Sequence, residues 1–177
     1  MGGVVHSRQL ADAINLPESE IEIVESGALL HDIGKIGVPD ALLFKPGPLD
    51  GPERQAIALH PSLGARLLAG VSSIGGVVSC VLHHHERIDG DGYPEGLRGE
   101  AIPLSARLVA IADSFDAMTT DRPYRRAMPV EDALSELLRV AGTQLDEHLV
   151  RTFVDLVMRG EIVLLDVQAR PMDSPRS

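Results

Sequence analysis

The chain has 177 residues, enough for one domain and two at most, and its 44% hydrophobic residues can bury a sizeable core. Aromatics are only 3% and there is no Trp, so that core is built from Leu, Val, Ile and Ala, which favours packed helices over a β-sandwich. With 16 basic and 26 acidic residues the net charge is −10, which excludes a general nucleic-acid polymer as partner; any phosphate compound must be attracted locally.

No apolar run is long enough to cross a bilayer. The start, Met1-Gly2-Gly3-Val4-Val5-His6, lacks the cationic and apolar blocks of a signal peptide. Cys80 is the only cysteine and reads as a small core residue. These features together predict a cytoplasmic location.

In chain order, residues 7–15 predict a short helix. Pro17 opens a stronger one, with Glu18, Glu20 and Glu22 near its positive N-terminal end. Ile21, Val24 and Ala28 form a stripe that His31 and Asp32 continue. Adjacent side chains diverge by about 100° on a helix, so His31 and Asp32 share one site only near a helix end. Gly34 is expected to supply that end by taking positive φ. Lys35 then stands where a substrate anion would approach. A metal site facing a phosphate fits this run, and so does a helix C-cap followed by an ordinary surface lysine.

Residues 39–44 predict a short helical turn and 45–48 a loop. Asp50 and Glu53 have capping-box spacing, and their helix is expected to run to about His60, limited by Pro61. Residues 62–69 predict another short helix. Taken alone, His60 fits a hydrogen-bonded core imidazole better than a ligand. The next helix spans 74–86, with Val77, Val78 and Val81 inward and His84 and His85 continuing that face. His83 points away, solvated or partly packed. Residues 88–103 form a Gly/Pro/Asp loop of a length uncommon in compact domains unless functional. Asp89 to Gly92 begins like a calcium loop, but the later ligands are misplaced.

Residues 104–118 predict a helix whose inward stripe is Ala106, Val109, Ala110, Asp113, Asp116 and Ala117. Carboxylates on such a face are costly unless paired or bound to a cation. Arg122-Pro123-Tyr124-Arg125-Arg126 is a basic turn. Helices at 130–141 and 147–159 end at Gly142 and Gly160. One domain, 1–160, is followed by a flexible tail, 161–177.

The inward polar set is then His31, Asp32, His60, His84, His85 and Asp113. Nitrogen and oxygen ligands without sulfur suit Fe or Mn, with Zn or Ni as further candidates. Six protein ligands are too many for one open catalytic metal and suit two divalent ions with Asp32 as the bridge. Only neutral imidazole ligates, so activity is expected to fall as pH drops through the histidine range. His6 and His148 have no partner in this pattern.

These residues resemble the HD-GYP family, a branch of the HD phosphohydrolases, from roughly Pro17 to Val157. His31-Asp32-Ile33-Gly34-Lys35-Ile36-Gly37-Val38-Pro39-Asp40 is similar to the first family motif, and His60-Pro61 with Gly64 to the second. His84-His85-Glu86-Arg87, Asp89-Gly90 and Gly92-Tyr93-Pro94 carry the histidine pair and the GYP triplet. Ile102-Pro103-Leu104, Ala112-Asp113, Phe115-Asp116-Ala117-Met118-Thr119 and Asp121-Arg122-Pro123-Tyr124-Arg125 resemble the late motifs.

The resemblance implies an all-α HD-domain helical bundle with a long Gly/Pro loop at 88–103. It implies a metal-dependent phosphodiesterase of bacterial signalling that hydrolyses cyclic di-GMP to the linear dinucleotide, GMP or both, through a hydroxide bridging two metal ions. It implies metal ligation by His31, Asp32, His60, His84, His85 and Asp113, catalytic roles for Asp32 and Lys35, and substrate-phosphate contacts from Lys35, Arg122 and Arg125. The GYP loop is associated in the family with contacts to diguanylate cyclase (GGDEF) domains.

The chain also departs from the family. Ile88 stands where an aromatic residue is frequent, and Leu145 and Glu147 replace a common Phe and Pro. His6-Ser7-Arg8 resembles the end of a first-helix motif that helps bind a third metal in some members, but it stands about two helical turns too close to His31. Two metals rather than three are therefore expected, with a shortened first helix that weakens the core and a homodimer that covers the face left open. The alternatives are a non-catalytic signalling module that binds cyclic di-GMP or a cyclase domain, and an HD phosphohydrolase for another nucleotide.

Overall fold

Helices account for the regular structure of residues 2–121 and 126–164, which the computed structural model describes apart from the side chain of Ser72. Arg122, Arg125 and residues 165–177 lie outside the described residues. In order the helices are α1 (Gly2–Ala13), α2 (Glu18–Leu30), α3 (Asp40–Leu43), α4 (Gly51–Ile57), α5 (His60–Leu68), α6 (Gly75–His83), α7 (Leu104–Thr119), α8 (Val130–Val140) and α9 (Glu147–Met158), with short 3-10 turns at Ile33–Gly37, Ser72–Ile74 and Gly99–Ala101. The described residues contain no named strand, as the all-α expectation requires. None of the described helices is long and apolar enough to cross a membrane.

Helix α7 is the axis of the bundle and packs against α1, α2, α6, α8 and α9. It is apolar around most of its circumference, which suits a helix with neighbours on every side. Leu108, Ile111, Ala112 and Phe115 are buried along with Ala106 and Val109, while Ala110, Asp113, Asp116 and Ala117 are half-buried. The expected single stripe is thereby corrected: period-3.6 counting selects one face and overlooks the second.

The first helix, expected to be shortened, takes part in the core. Helix α1 is formed from Gly2 and packs against α2 and α7, and its Leu10 and Ala11 are fully buried. His6 is 3% exposed, with its ring edge-on to Phe115 and Phe153. Its ring nitrogens make no well-placed hydrogen bond among the described residues, the Val163 backbone lying near them. Burial pushes its pKa down, although Asp116 lies near enough to oppose that.

Several boundaries move: α1 begins at Gly2 rather than at residue 7, and α6 spans Gly75–His83 rather than 74–86. The expected helix to His60 stops at Ile57, and His60 instead begins α5, with Pro61 in the first turn, where its missing N–H costs nothing. At the C-terminal end Ile162 is buried in the same core, so packing continues past the boundary expected at 160. Gly142 and Gly160 take positive φ after α8 and α9, as read from the sequence. Asp146 caps α9 by accepting from the His148 and Leu149 N–H groups, and it pairs with Arg107 at 2.8 Å.

The capping box on α4 is complete: Asp50 accepts from the Glu53 N–H and Glu53 accepts from the Asp50 N–H, both at 2.9 Å. Asp50→Ala is expected to cost about 1 kcal/mol, read as a shift in the urea midpoint with an unchanged slope.

Candidate metal centre

The site is assembled from the ends of helices. Helix α2 stops at Leu30, His31 caps it, and Asp32 takes φ −95° and ψ 4° to open the 3-10 turn. His84 likewise caps α6, and His60 stands at the junction of α4 and α5. Carbonyls in the last turn of a helix have no intrahelical partner. His31 Nδ1 uses the Ala28 carbonyl, His60 Nδ1 the Ile57 carbonyl and His84 Nδ1 the Val81 carbonyl, each at 2.8 Å.

A carbonyl oxygen only accepts, so each Nδ1 carries a proton, and each ring presents a bare Nε2 when it is neutral. These Nε2 atoms converge. His60 Nε2 lies 3.2 Å from His84 Nε2 and 3.3 Å from Asp32 Oδ1. His31 Nε2 lies 3.4 Å from Asp32 Oδ2 and 3.7 Å from Asp113 Oδ1. Ligand atoms of His60, His84 and His85 all fall within 4.8 Å of one another. Lys35 Nζ donates to Asp32 Oδ2 at 2.6 Å. The structure therefore brings together all six residues singled out from the sequence, with Lys35 beside them. Asp32 is at the centre.

The electrostatics follow from burial and these contacts. Burial opposes ionisation of Asp32, but the adjoining His31 and His60 rings and the hydrogen bond from the Lys35 ammonium hold its carboxyl far below the usual carboxylate range. Burial, reinforced by neighbouring imidazoles, pushes His84 down to about 2 and His85 to about 3. His31 is buried too, yet its hydrogen bond to Asp32 and the charges of Asp32 and Asp113 raise its pKa.

Whether this pocket suits a cation is tested by its donor set. Two bare imidazole nitrogens 3.2 Å apart repel each other, and a positive ion between them removes that repulsion. Imidazole nitrogen and carboxylate oxygen are what a first-row divalent ion takes, and each Nδ1–H to carbonyl bond fixes a ring in the ligating tautomer. The residues present fit a metal.

The metal-free protein should lose stability as pH falls. A histidine whose folded pKa is far below its unfolded 6.5 refuses protons that the unfolded chain takes up, so its contribution is present above 6.5 and lost below. At about pH 5 that is about 2 kcal/mol each for His84 and His85. The raised pKa of His31 works the other way, adding stability below 6.5 that fades as pH rises through its folded value. A net loss of about 2–4 kcal/mol between pH 7 and about pH 5 is expected in urea unfolding. An unchanged midpoint would mean that the two rings are not held neutral.

Other side chains complete the surroundings. His83, expected to be solvated or partly packed, is buried; its Nδ1 donates to the Ser79 carbonyl at 2.8 Å and its Nε2 lies 3.3 Å from Glu95 Oε2. Tyr93 is a neighbour that residue-level reasoning missed: its ring stacks on His85 at 4.9 Å with 26° between planes. Burial, with the charges of Asp32 and Asp113, pushes its hydroxyl up to about 12, so it stays neutral. The available signal was the GYP triplet, but spacing alone does not say that the loop folds back onto the histidines. Asp32, Lys35 and Asp113 are each more than a third exposed, so the centre opens to solvent on their side.

Known proteins resemble this chain in sequence and in fold. The cyclic di-GMP phosphodiesterase response regulator RpfG of Xanthomonas campestris pv. campestris (strain 8004) is 43% identical over 159 residues, covering 88% of this chain and 40% of its own. A cyclic di-GMP phosphodiesterase of Thermotoga maritima is 38% identical over 175 residues, covering 97% of this chain and 46% of its own. The chain thus spans less than half the length of these curated relatives. Among solved structures, a cyclic GMP-AMP specific phosphodiesterase of V. cholerae (V-cGAP3) superposes with a TM-score of 0.68 at 21% identity, covering 91% of this chain and 44% of that one, which shows the shared fold. The HD domain family profile matches residues 5–149. On that match, with the His-Asp pair and the GYP run in place, the chain belongs to the HD domain family and to its HD-GYP branch.

Proposed function

We propose that this domain is a metal-dependent phosphodiesterase acting on cyclic di-GMP, releasing the linear dinucleotide, GMP or both. The observation that carries the reading is the convergence of the His31 and His60 Nε2 atoms on Asp32, with the His84 Nε2 beside that of His60. The names of the relatives from X. campestris and T. maritima support the substrate class.

His31, Asp32, His60, His84, His85 and Asp113 would hold two divalent ions, Fe or Mn before Zn or Ni. Such a pair supplies an activated water near neutral pH and neutralises phosphate charge. Asp32 is already ionised and offers both oxygens, each facing a different imidazole. Lys35 holds its ammonium at the exposed edge of the site, where it would meet a phosphate oxygen. Arg122 and Arg125 are assigned the same task. A proton and a metal ion compete for the His31 Nε2, whose pKa is raised, so uptake is expected to weaken at acid pH.

The test is turnover of cyclic di-GMP by protein loaded with Fe(II) or Mn(II), beside cyclic GMP-AMP and other nucleotides. Chelation should abolish turnover and Mn(II) should restore it. No turnover by a metal-loaded sample, with Asp32→Ala behaving identically, would sink the reading in favour of a binding module.

A further inference from the structure

Glu86 directly follows the histidine pair and is only 5% exposed. A buried carboxylate is costly unless its oxygens are satisfied. Its partners in the structure are three consecutive backbone N–H groups: Oε1 accepts from Glu95 at 2.7 Å and Gly96 at 3.1 Å, and Oε2 from Leu97 at 3.0 Å. All three lie just past the GYP triplet. The loop therefore leaves the end of α6 and is tied back to it by one side chain.

The rest of the loop is shaped by that return. Gly92 passes hard against the turn it came from: a Cβ there would stand 2.6 Å from Glu86 Cα and closer still to the Arg87 nitrogen. The Tyr93 N–H donates to the His85 carbonyl at 3.3 Å, and the Tyr93 ring covers the His85 ring. His83, the residue before the pair, reaches Glu95 from the other side. Thus Tyr93 is pinned between a backbone bond to His85 and a loop segment whose amides Glu86 holds.

His31, His60 and His84 each have a ring nitrogen fixed by a carbonyl three residues back. Besides its contacts with the His60 and His84 rings, the His85 ring is stacked by Tyr93. We infer that Glu86 is a positioning residue for the metal centre: its three amide bonds hold the GYP loop so that Tyr93 orients the imidazole of His85. This rests on the reading of His85 as a metal ligand.

The experiment measures Mn(II) affinity by calorimetry and amide exchange at residues 95–97 in the wild type, Glu86→Gln, Tyr93→Ala, Tyr93→Phe and the Glu86→Gln/Tyr93→Ala double variant. Glu86→Gln turns one acceptor into an amide donor facing an N–H, so exchange at 95–97 should accelerate and Mn(II) binding should weaken about tenfold or more. Tyr93→Ala should weaken Mn(II) binding similarly, and Tyr93→Phe, which keeps the stacking ring, should not. The double variant should bind no more weakly than Tyr93→Ala, because Glu86 acts through Tyr93.

Accelerated exchange with unchanged Mn(II) affinity overturns the inference, and so do losses that multiply in the double variant. Should Glu86→Gln not fold, Tyr93→Ala decides, since it leaves the three amide bonds in place; unchanged affinity in it overturns the inference. A wild-type chain that takes up no Mn(II) overturns it as well. Mn(II) binding that follows this pattern without turnover of any cyclic dinucleotide would reject the phosphodiesterase reading alone.

Discussion

Asp32→Ala is expected to reduce turnover of cyclic di-GMP by about a thousandfold or more while leaving the fold intact. Asp32 contacts both His31 and His60, at 3.4 and 3.3 Å, and is the partner of Lys35 at 2.6 Å. On the proposed reading, its loss would remove a carboxylate that would hold the metal. A metal pair supplies several kcal/mol of transition-state stabilisation, and about 1.4 kcal/mol is tenfold in rate. The fold should survive because the Asp32 side chain is 40% exposed and fills no core space. Asp32→Asn separates charge from shape: it keeps the volume and one acceptor, and should lose nearly as much activity. Initial rates at saturating Mn(II), with melting curves of both variants, decide the matter. Activity within tenfold of wild type would remove Asp32 from the chemistry.

Local chemistry made much of the fold readable. The acidic start of α2, the Asp50–Glu53 box and the glycines after α8 and α9 act within one helical turn, and each does in the structure what its residue type suggests. The six converging groups were readable for a related reason. Imidazoles and carboxylates that continue apolar stripes must find partners, and a helix end is where neighbouring residues can share one. What was lost depends on tertiary neighbours. Pro61 ends one helix or starts the next with equal local logic, and only packing makes His60 a beginning. The faces of α7 were misjudged because no periodicity announces a helix surrounded on all sides. Glu86 resembles any charged residue after a helix until the loop nine residues on returns its amides to it.

Gly34 shows the same limit in energetic form, and Gly34→Ala is expected to be among the most damaging substitutions for stability. Positive φ was the expected reason for glycine here, yet Gly34 is absent from the described glycines with that conformation and lies within the 3-10 turn. Its role is close approach. A Cβ would overlap the His60 carbonyl oxygen and stand 2.5 Å from the Gly64 nitrogen and 2.8 Å from the His60 carbonyl carbon. These are backbone atoms of α5, so no side-chain rotation relieves the overlap; the 3-10 turn and α5 must separate. Overpacking of this kind costs about 3 kcal/mol or more, which for a chain of this length lowers Tm by roughly 6–12 °C. The separation also draws His60 away from Asp32, so Mn(II) affinity should fall in the variant even below its melting point. Gly75→Ala is the control, because a Cβ there meets nothing within 4 Å on a helical backbone and Tm should hold or rise. Gly34→Asn discriminates between the two explanations, since Asn tolerates the left-handed region but not the contact. If Asn is accepted while Ala is not, conformation rather than proximity governs the position, and the placement of His60 on the His-Asp turn loses its physical basis.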